Sequence, residues 1–418
     1  MSKWKIYTPA GVQDILVEEC YQKRSLEQRL RTLFTSCGYN ELETPTIEFY
    51  DVFASDEGAM SQENMFKFFD QQGRILVLRP DITVPVARIT ATKCKEATYP
   101  LRFSYIGNVF RYNDFGGGKQ NEFTQAGIEV LGVSTPESDA EVISIAINAL
   151  KASGLKNFQV DIGQVDFFNG VMEDTGLSDE DIAQVCVLID RKDHVGLGEF
   201  LNRCDVREDL KKLIQELPGF FGSSDVMDKA ETLNLKNRSR NALENIRQVL
   251  RILEDYGLGR YVSVDLGMLR GLDYDTGIIF RGFTHGVGFP ILTGGRYDGL
   301  VGKFGKNCPA TGFSLGINLI LMVLQRQNAA VEKPGTDSIV CYSDKGRKTA
   351  FALCDELRRQ GLAVELDITD SSPEAAVIYA KAKSIGGVIS IIDEDTVKIH
   401  YVQSGEVATA QISDLLKR

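Results

Sequence analysis

Histidine is rare in this sequence and its cysteines are dispersed, and both features bear on catalysis and metal binding. The 418 residues include three histidines, His194, His285 and His400, which are too far apart in the sequence to indicate a catalytic dyad. The eight cysteines form no C-x-x-C pair, and no histidine lies at metal-ligand spacing from any of them. The pattern predicts reduced thiols without a disulfide framework or zinc site, and we expect no metal and no cofactor.

Long apolar runs are also absent. No run of 18 or more apolar residues occurs, so the sequence predicts no membrane span. The N-terminal stretch MSKWKIYTPAGVQDIL lacks the apolar segment of a secretory signal peptide. Acidic residues outnumber basic ones by 58 to 47, and the net charge of −11 argues against broad nucleic-acid binding. These features predict a cytoplasmic globular protein, and its length implies about two or three domains.

Residues 1–325 have the pattern of an α+β core, a mainly antiparallel sheet with helices around it. The runs PLRFSYIGNVFRYN and EFTQAGIEVLGV flank Gly116–Gly118 and predict an antiparallel hairpin. Helices are predicted over 15–37 and from Asp139 to about Ser153, and about 167–256 has the pattern of a helical insertion. The stretch GFSLGINLILMVLQRQN is predicted to be a helix that closes the region.

The pattern changes after a linker-like stretch at 326–335. Residues 336–418 alternate between strand and helix, with strands predicted at 338–342, 362–366 and 387–392 and helices at 346–360 and 373–384. Such alternation is typical of a small α/β domain with parallel strands.

Six stretches occur in the order found in histidyl-tRNA synthetases, and the chain resembles that family over nearly its whole length. They are TPAGVQDIL, RPDITVPVAR, VFRYNDFGGGKQNEFTQAGIEVLG, RGLDYDTGIIF, GGRYDGL and ATGFSLGINLI. The resemblance implies a class II aminoacyl-tRNA synthetase-like fold, in which helices flank an antiparallel sheet, and usually a homodimer. Pro45 matches the proline of the family's dimer-forming first motif, and the C-terminal region resembles the family's anticodon-binding domain.

The residues that hold ATP in those enzymes are mostly replaced here. Arg111 matches the arginine of the second motif, but the acid that follows two residues later is Asn113. The arginine of the last helix, which stacks on adenine in the synthetases, is replaced by Leu319. Because leucine brings neither a charge nor a planar cation, the resemblance implies that ATP binding for tRNA charging is lost.

The amino-acid side of the implied pocket is better kept. By resemblance, Asp81 pairs with the substrate ammonium, Gln125 lies near its carboxylate and Glu129 lies near its imidazole. Gln125 and Glu129 are four apart in a strand, so both project to the same face. Asp275 replaces the second tyrosine of the family's RGLDYY signature. The candidate ligand-binding residues are Asp81, Thr83, Arg111, Gln125, Glu129, Arg270 and Tyr274.

This combination resembles the regulatory subunits of ATP phosphoribosyltransferase, which are paralogues of the synthetases and do not charge tRNA. The resemblance implies a non-catalytic chain that partners a short catalytic subunit in the first step of histidine biosynthesis. It also implies feedback by histidine and a homodimer within a hetero-oligomer, a hetero-octamer in this family. Our hypothesis is that histidine binds among the candidate residues, and that different affinities for two conformations transmit the signal.

Each candidate residue also has a structural interpretation. Asp81 can cap a helix N-terminus, and Arg111 can pair with an acid such as Glu122. Gln125 and Glu129 can form an internally satisfied polar network. Arg270 can form salt bridges near Asp265 or Asp273, and Gly116–Gly118 can be a ligand-gated loop or a simple hairpin tip.

Two other functions fit the sequence. An active histidyl-tRNA synthetase with degenerate ATP-binding motifs would show histidine-dependent pyrophosphate exchange. Leu319, Asn113, Asp275 and the acidic net charge argue against it. An amino-acid-binding module with another partner is the second alternative, and it would need no short phosphoribosyltransferase in the same genome.

Overall fold

The computed structural model describes residues 3–54, 62–112, 120–191, 193–223, 225–232, 235–269, 275–369 and 372–415. The chain divides into two compact units, Met1–Val331 and Glu332–Arg418. No helix within these described ranges is long and apolar enough to cross a membrane. Gly116–Gly118, the expected hairpin tip, lies outside the described residues.

The first unit is built on a nine-stranded sheet and a separate three-stranded sheet. The large sheet has the order β1-β5-β6-β12-β11-β10-β7-β9-β8, and its neighbours are antiparallel except for the β1–β5 and β7–β9 pairs. The small sheet has the order β2-β4-β3. The strands are β1 (Asn40–Glu41), β2 (Ile47–Phe49), β3 (Lys67–Phe69), β4 (Ile75–Leu78), β5 (Leu101–Phe110), β6 (Glu122–Leu131), β7 (Phe158–Gln164), β8 (Phe221–Gly222), β9 (Val262–Asp265), β10 (Ile278–Thr284), β11 (Leu292–Arg296) and β12 (Ala310–Gly316).

Ten described helices surround these sheets, which confirms the α+β prediction. They are α1 (Val17–Ser36), α2 (Thr83–Thr92), α3 (Pro136–Ala152), α4 (Val165–Thr175), α5 (Asp179–Asp190), α6 (His194–Arg203), α7 (Glu208–Glu216), α8 (Asp225–Glu231), α9 (Asn237–Asp255) and α10 (Ile317–Arg326). The stretch from α4 to α9 forms the helical insertion, interrupted by the two residues of β8.

Helix α3 begins three residues before the predicted start at Asp139. Thr135 caps it, because its side chain accepts a hydrogen bond from the Ser138 amide while the Ser138 side chain reaches back to Thr135. Pro136 takes the first helical position, where its missing N–H costs no hydrogen bond. The helix buries Ile143 and Ile147 in the main core.

The predicted hairpin is confirmed, and it places the candidate residues in the middle of the large sheet. Strands β5 and β6 pair antiparallel, with Gly107 opposite Gln125 and Phe103 opposite Glu129. On its other side β6 pairs with β12, where Gly312 lies opposite Glu129. Glu129 therefore lies on a strand with a partner on each side.

The prediction of one helix over GFSLGINLILMVLQRQN is wrong in its first part. Residues 310–316 form strand β12, which lies between β6 and β11, and helix α10 begins at Ile317. A Cβ on Gly312 would lie 1.7 Å from Oε2 of Glu129, so the strand needs a glycine beside this carboxyl group. Tertiary packing thus overrides the helical spacing of the apolar residues.

The GGRYDGL stretch shapes the sheet, as its glycines predict. A Cβ on Gly294 would lie 2.3 Å from the Phe280 ring and 2.6 Å from the Gly312 carbonyl. Arg296, two residues after Gly294, forms a buried ion pair with Asp139 at 2.8 Å. This pair joins the end of β11 to the first turn of α3.

The second unit is a five-stranded sheet with the order β14-β13-β15-β16-β17. Its elements are β13 (Ser338–Cys341), α11 (Arg347–Arg359), β14 (Val364–Leu366), α12 (Pro373–Ala382), β15 (Gly387–Ile391), β16 (Thr396–Tyr401), β17 (Val407–Gln411) and α13 (Ile412–Leu415). The predicted strands are parallel, and the structure adds an antiparallel hairpin of β16 and β17 that the sequence pattern did not predict. Strand β17 is largely exposed, so it lacks the apolar alternation that marks a half-buried strand.

The close approach of Gly312 to Glu129 predicts that adding one methyl group at Gly312 strongly lowers the stability of the fold. We expect Gly312→Ala to lower the free energy of unfolding by about 1–3 kcal/mol or more, because a buried strand cannot move away from the carboxyl group. Gly299→Ala is the matched control, since a Cβ there would have no atom within 4 Å. Urea unfolding of both variants measures the difference, and equal stability would contradict this account of β12.

Candidate functional site

Five of the predicted ligand-binding residues line one cavity of about 310 Å³ in the first unit. Asp81 lies just before α2 and Thr83 is the first residue of that helix. Arg111 lies just after β5, and Gln125 and Glu129 lie on β6. This volume is in the range of cavities that bind small molecules. Arg270 and Tyr274 lie outside the described residues, as does Asn113.

Glu129 is the most enclosed charged group of the cavity, with 1% of its surface exposed. Thr83 and Tyr105 donate hydrogen bonds to its Oε1 at 2.8 and 3.1 Å, and Tyr297 donates to its Oε2 at 2.5 Å. Burial raises the pKa of Glu129 to about 7, although the three hydroxyl donors partly counteract it. The internally satisfied network considered for Glu129 is thus present, and the same residue lines the cavity.

Asp81 likewise combines a structural contact with a place on the cavity wall. Its Oδ1 accepts a hydrogen bond from the Val84 amide at 3.1 Å, at the start of α2. Burial raises the pKa of Asp81, while the positive charge of Arg111 lowers it. A second acidic group therefore lies in the same cavity, next to a cation.

Arg111 is held at the cavity by the backbone and by an aromatic ring. Its Nε donates to the Pro80 carbonyl at 2.6 Å, and its guanidinium carbon lies 5.5 Å from the centroid of the Phe123 ring. Glu122, the acid considered as its structural partner, accepts a hydrogen bond from Asn108 at 2.9 Å. The contacts to Pro80 and Phe123 orient the guanidinium group where a ligand anion could reach it.

Gln125 lies on the same strand and contacts Ser314 of β12, with 3.5 Å between Nε2 and Oγ. This distance is long for a hydrogen bond. The weak contact leaves the amide group able to reorient toward a ligand.

Sequence reasoning did not identify Tyr105, Tyr297 or Arg281. Tyr105 and Tyr297 hold Glu129, and Tyr297 and Arg281 line the cavity. Asp275, which the resemblance places in the pocket, also lies on the cavity wall. The signal for Arg281 was a charge within an otherwise apolar strand, IIFRGF. For the tyrosines, the glycines on strands beside Glu129 could have indicated space for a buried polar network.

Arg281 brings a cation to the β10 side of the cavity. It lies opposite Asp161 of β7 in the sheet register. Burial raises the pKa of Asp161, while a hydrogen bond from Ser263 and the charge of Arg281 lower it. The cavity wall therefore carries the carboxyl groups of Asp81, Glu129 and Asp275 together with the guanidinium groups of Arg111 and Arg281.

A second cavity of about 300 Å³ adjoins the first, and the two share Arg111, Gln125 and Ser314 among their lining residues. Much of its wall is apolar, formed by Phe123, Phe289, Pro290, Ile291, Leu292 and Leu319. Leu319 thus lies in this cavity, where the resemblance places an adenine-stacking arginine. Arg111 is the one charged group among the described residues of its wall.

Asn318 connects two segments at the rim of the second cavity. Its Nδ2 donates to Gln120 at 2.8 Å, and its Oδ1 accepts from the Thr124 amide at 2.9 Å. The amide of β6 at Thr124 is therefore already bonded within the protein.

The described part of the chain holds no cluster of three or more histidine, cysteine or acidic side chains suited to a metal ion. All eight cysteines are free thiols.

Comparison with known proteins places the chain among relatives of histidyl-tRNA synthetases. A family model described as histidyl-tRNA synthetase matches residues 11–320. A protein of Acetivibrio thermocellus named ATP phosphoribosyltransferase regulatory subunit is 59% identical over 417 residues, covering 100% of both chains. A protein of the same name from Ruminiclostridium cellulolyticum is 53% identical and covers 100% of this chain and 99% of its own length.

Solved structures agree with these sequence matches. An ATP phosphoribosyltransferase regulatory subunit/histidyl-tRNA synthetase from Bacillus halodurans superposes with a TM-score of 0.84 at 31% identity, covering 93% of this chain and 98% of its own. The histidyl-tRNA synthetase of Nostoc sp. PCC 7120 has a TM-score of 0.83 at 22% identity, and the alignment covers 99% of each chain. The second similarity supports the fold alone.

The buried Glu129 predicts an unusual dependence of stability on pH. The pKa of Glu129 is near 7 in the folded state, whereas 4.5 is the ordinary value. Its favourable contribution to the free energy of unfolding is therefore fully present below about pH 4.5 and is lost as the pH rises through 7. Between pH 4.5 and 8, we expect the free energy of unfolding of wild type to fall by about 3 kcal/mol more than that of Glu129→Gln. Urea unfolding at a series of pH values measures this.

Glu122→Gln, on the same strand, is the control for this experiment. Its carboxyl group is partly exposed and bonds Asn108, so we expect the pH profile of wild type to be retained. Parallel profiles for wild type and Glu129→Gln would show that the Glu129 carboxyl group ionises normally.

Proposed function

Because the chain belongs to the histidyl-tRNA synthetase family, in the branch of ATP phosphoribosyltransferase regulatory subunits, we propose that it activates a short catalytic subunit and makes it responsive to histidine. Its own role is regulatory and non-catalytic. The partner joins ATP to phosphoribosyl pyrophosphate in the first step of histidine biosynthesis. This chain supplies the ligand-binding site through which the product of the pathway acts.

The observation that carries this proposal is the cavity with Asp81, Arg111 and Glu129 on its wall. A histidine zwitterion has a cationic ammonium group, an anionic carboxylate and a ring N–H, and the cavity offers a partner for each. Asp81 pairs with the ammonium group, while Arg111 and Gln125 bind the carboxylate. Glu129 accepts the ring N–H, and its pKa of about 7 is close to that of an imidazole.

Regulation requires that the ligand distinguish two conformations. Glu129 is bonded to Thr83 at the start of α2, to Tyr105 of β5 and to Tyr297 just after β11. A histidine ring that bonds Glu129 competes with one of these hydroxyl groups. Occupancy thus changes how α2 and the turn at Tyr297 are held, which gives the two conformations different affinities for histidine.

Loss of tRNA charging is part of the same proposal. Leu319 gives the adjoining cavity an apolar surface, whereas ATP carries a polyanionic phosphate chain and needs several cations. The net charge of −11 also opposes binding of a long polyanion such as tRNA. Both features support a chain that kept amino-acid recognition without adenylation.

The test is phosphoribosyl transfer to ATP by the short catalytic subunit encoded in the same genome, alone, with this chain, and with histidine added. We expect activation by this chain and inhibition by histidine. Asp81→Asn keeps the oxygen that caps α2 but removes the charge. The histidine concentration that gives half-inhibition should therefore rise about tenfold or more. Glu122→Gln, outside the described wall of the cavity, should behave as wild type.

Two outcomes would overturn this proposal. The first is inhibition by histidine that is unchanged in Asp81→Asn, which would place the histidine site elsewhere. The second is an absence of activation together with histidine-dependent pyrophosphate exchange by this chain alone. That result would establish an active synthetase despite Leu319.

We also propose that the three-stranded sheet mediates a homodimer. Glu48 and Val77 face inward, and the opposite face carries the apolar side chains of Ile47, Phe49, Phe68, Leu76 and Leu78. Ile47 and Phe49 are 49% and 44% exposed, which is high for neighbouring apolar residues of one sheet face. Pro45, the residue that matches the family's dimer-forming motif, lies just before β2.

A charge in the middle of this face should prevent the dimer. We expect Phe49→Lys to be monomeric by sedimentation where wild type is dimeric, since an unpaired charge is costly to bury. Tyr256→Lys is the control, because Tyr256 is similarly exposed, at 54%, in the helical insertion. A dimer that persists in Phe49→Lys would assign dimerisation to another surface.

A further inference from the structure

A third cavity, of about 670 Å³, lies at the end of the large sheet where β7 begins and β10 ends. Lys156, Phe158, Arg260, Tyr261, Phe283 and His285 are among its lining residues. It shares no described lining residue with the cavity of Asp81 and Glu129. The proposed regulatory function makes no use of it.

An aromatic pair of this wall positions two cations, Arg260 of the wall itself and Lys151 beside it. The rings of Phe158 and Tyr261 stack with centroids 5.0 Å apart and an angle of 12° between their planes. Lys151 Nζ and the Arg260 guanidinium carbon lie 4.3 and 4.7 Å from the Tyr261 centroid. Arg260 also donates to the Tyr261 hydroxyl at 2.7 Å. Because these side chains are already ordered, a ligand would lose little conformational entropy on binding them.

The charge at this cavity is unbalanced. Lys156 and Arg260 are permanent cations of its wall and Lys151 lies against the Tyr261 ring, whereas the described lining residues include no carboxylate. Within the described ranges, none of these three side chains forms an ion pair, whereas most other arginines and several lysines form one. Cations that lie together without acids repel one another, and an anion between them would relieve that repulsion. This arrangement occurs in a chain whose net charge is −11.

We propose that this cavity binds a compact anion with several negative charges, of the class of small phosphorylated metabolites. Lys156, Arg260 and Lys151 contact its phosphate oxygens, and Asn157 and Gln159 supply amide donors. The volume suits a small metabolite. A long polyanion is disfavoured because the chain as a whole carries a net charge of −11.

Calorimetric titration of the full chain with inorganic pyrophosphate, without divalent cations, tests the assignment independently of the catalytic subunit. We expect saturable binding at one site per chain, weakened about tenfold or more in the double variant Lys151→Met, Arg260→Gln. Lys156→Met, which removes an exposed cation with no contact to Tyr261, should weaken binding to a smaller extent. The double variant Lys345→Met, Arg347→Gln in the second unit is the control and should bind as wild type.

Three results would overturn the proposal. They are no saturable binding by wild type, equal binding by wild type and the Lys151, Arg260 double variant, and equal weakening in the control. A single-stranded oligonucleotide provides a further comparison. If it binds through Lys156 and Arg260 more tightly than pyrophosphate does, the site is for nucleic acid and the assignment to a small anion is wrong.

Discussion

The burial of one carboxyl group, that of Glu129, determines much of the core of the first unit. A carboxyl group without hydrogen bonds would cost several kcal/mol to bury, so three hydroxyl groups from separate elements must converge on it. The backbone makes room for them, since a Cβ on Gly127 would lie 2.6 Å from the Tyr105 hydroxyl and one on Gly312 would meet Glu129 itself. The first residue of α2 and the turn at Tyr297 are consequently tied to the C-terminal part of β6.

The same network reconciles the structural and the ligand-binding interpretations of the candidate residues. Asp81 caps α2 and lines the cavity, and Glu129 joins three elements and lines it too. A site that also stabilises the fold is retained more easily than one that serves a ligand alone, because its loss costs stability. The second cavity has no comparable constraint at Leu319, which contributes packing surface only.

The sequence predicted the parts of this arrangement that depend on local pattern or on ordered motifs. The hairpin of β5 and β6, the helical insertion and the grouping of Asp81, Arg111 and Glu129 are of this kind. Tyr105, Tyr297 and Arg281 were missed because their approach depends on the register of strands distant in sequence, which no local pattern reveals. Strand β12 was missed because its apolar residues have helical spacing, whereas Gly312 is required in a strand beside Glu129.

The charges of the two polar cavities differ, and this difference limits what each can bind. The wall of the first cavity carries Asp81, Glu129 and Asp275 together with Arg111 and Arg281, and this mixture of charges suits a zwitterion better than a simple anion or cation. The cavity at Lys156 and Arg260 has cations without carboxylates and favours an anion. Arg281 and Phe283 are two residues apart on β10 and so project from the same face of the sheet, one into each cavity. The two cavities therefore meet β10 within about 7 Å of its length.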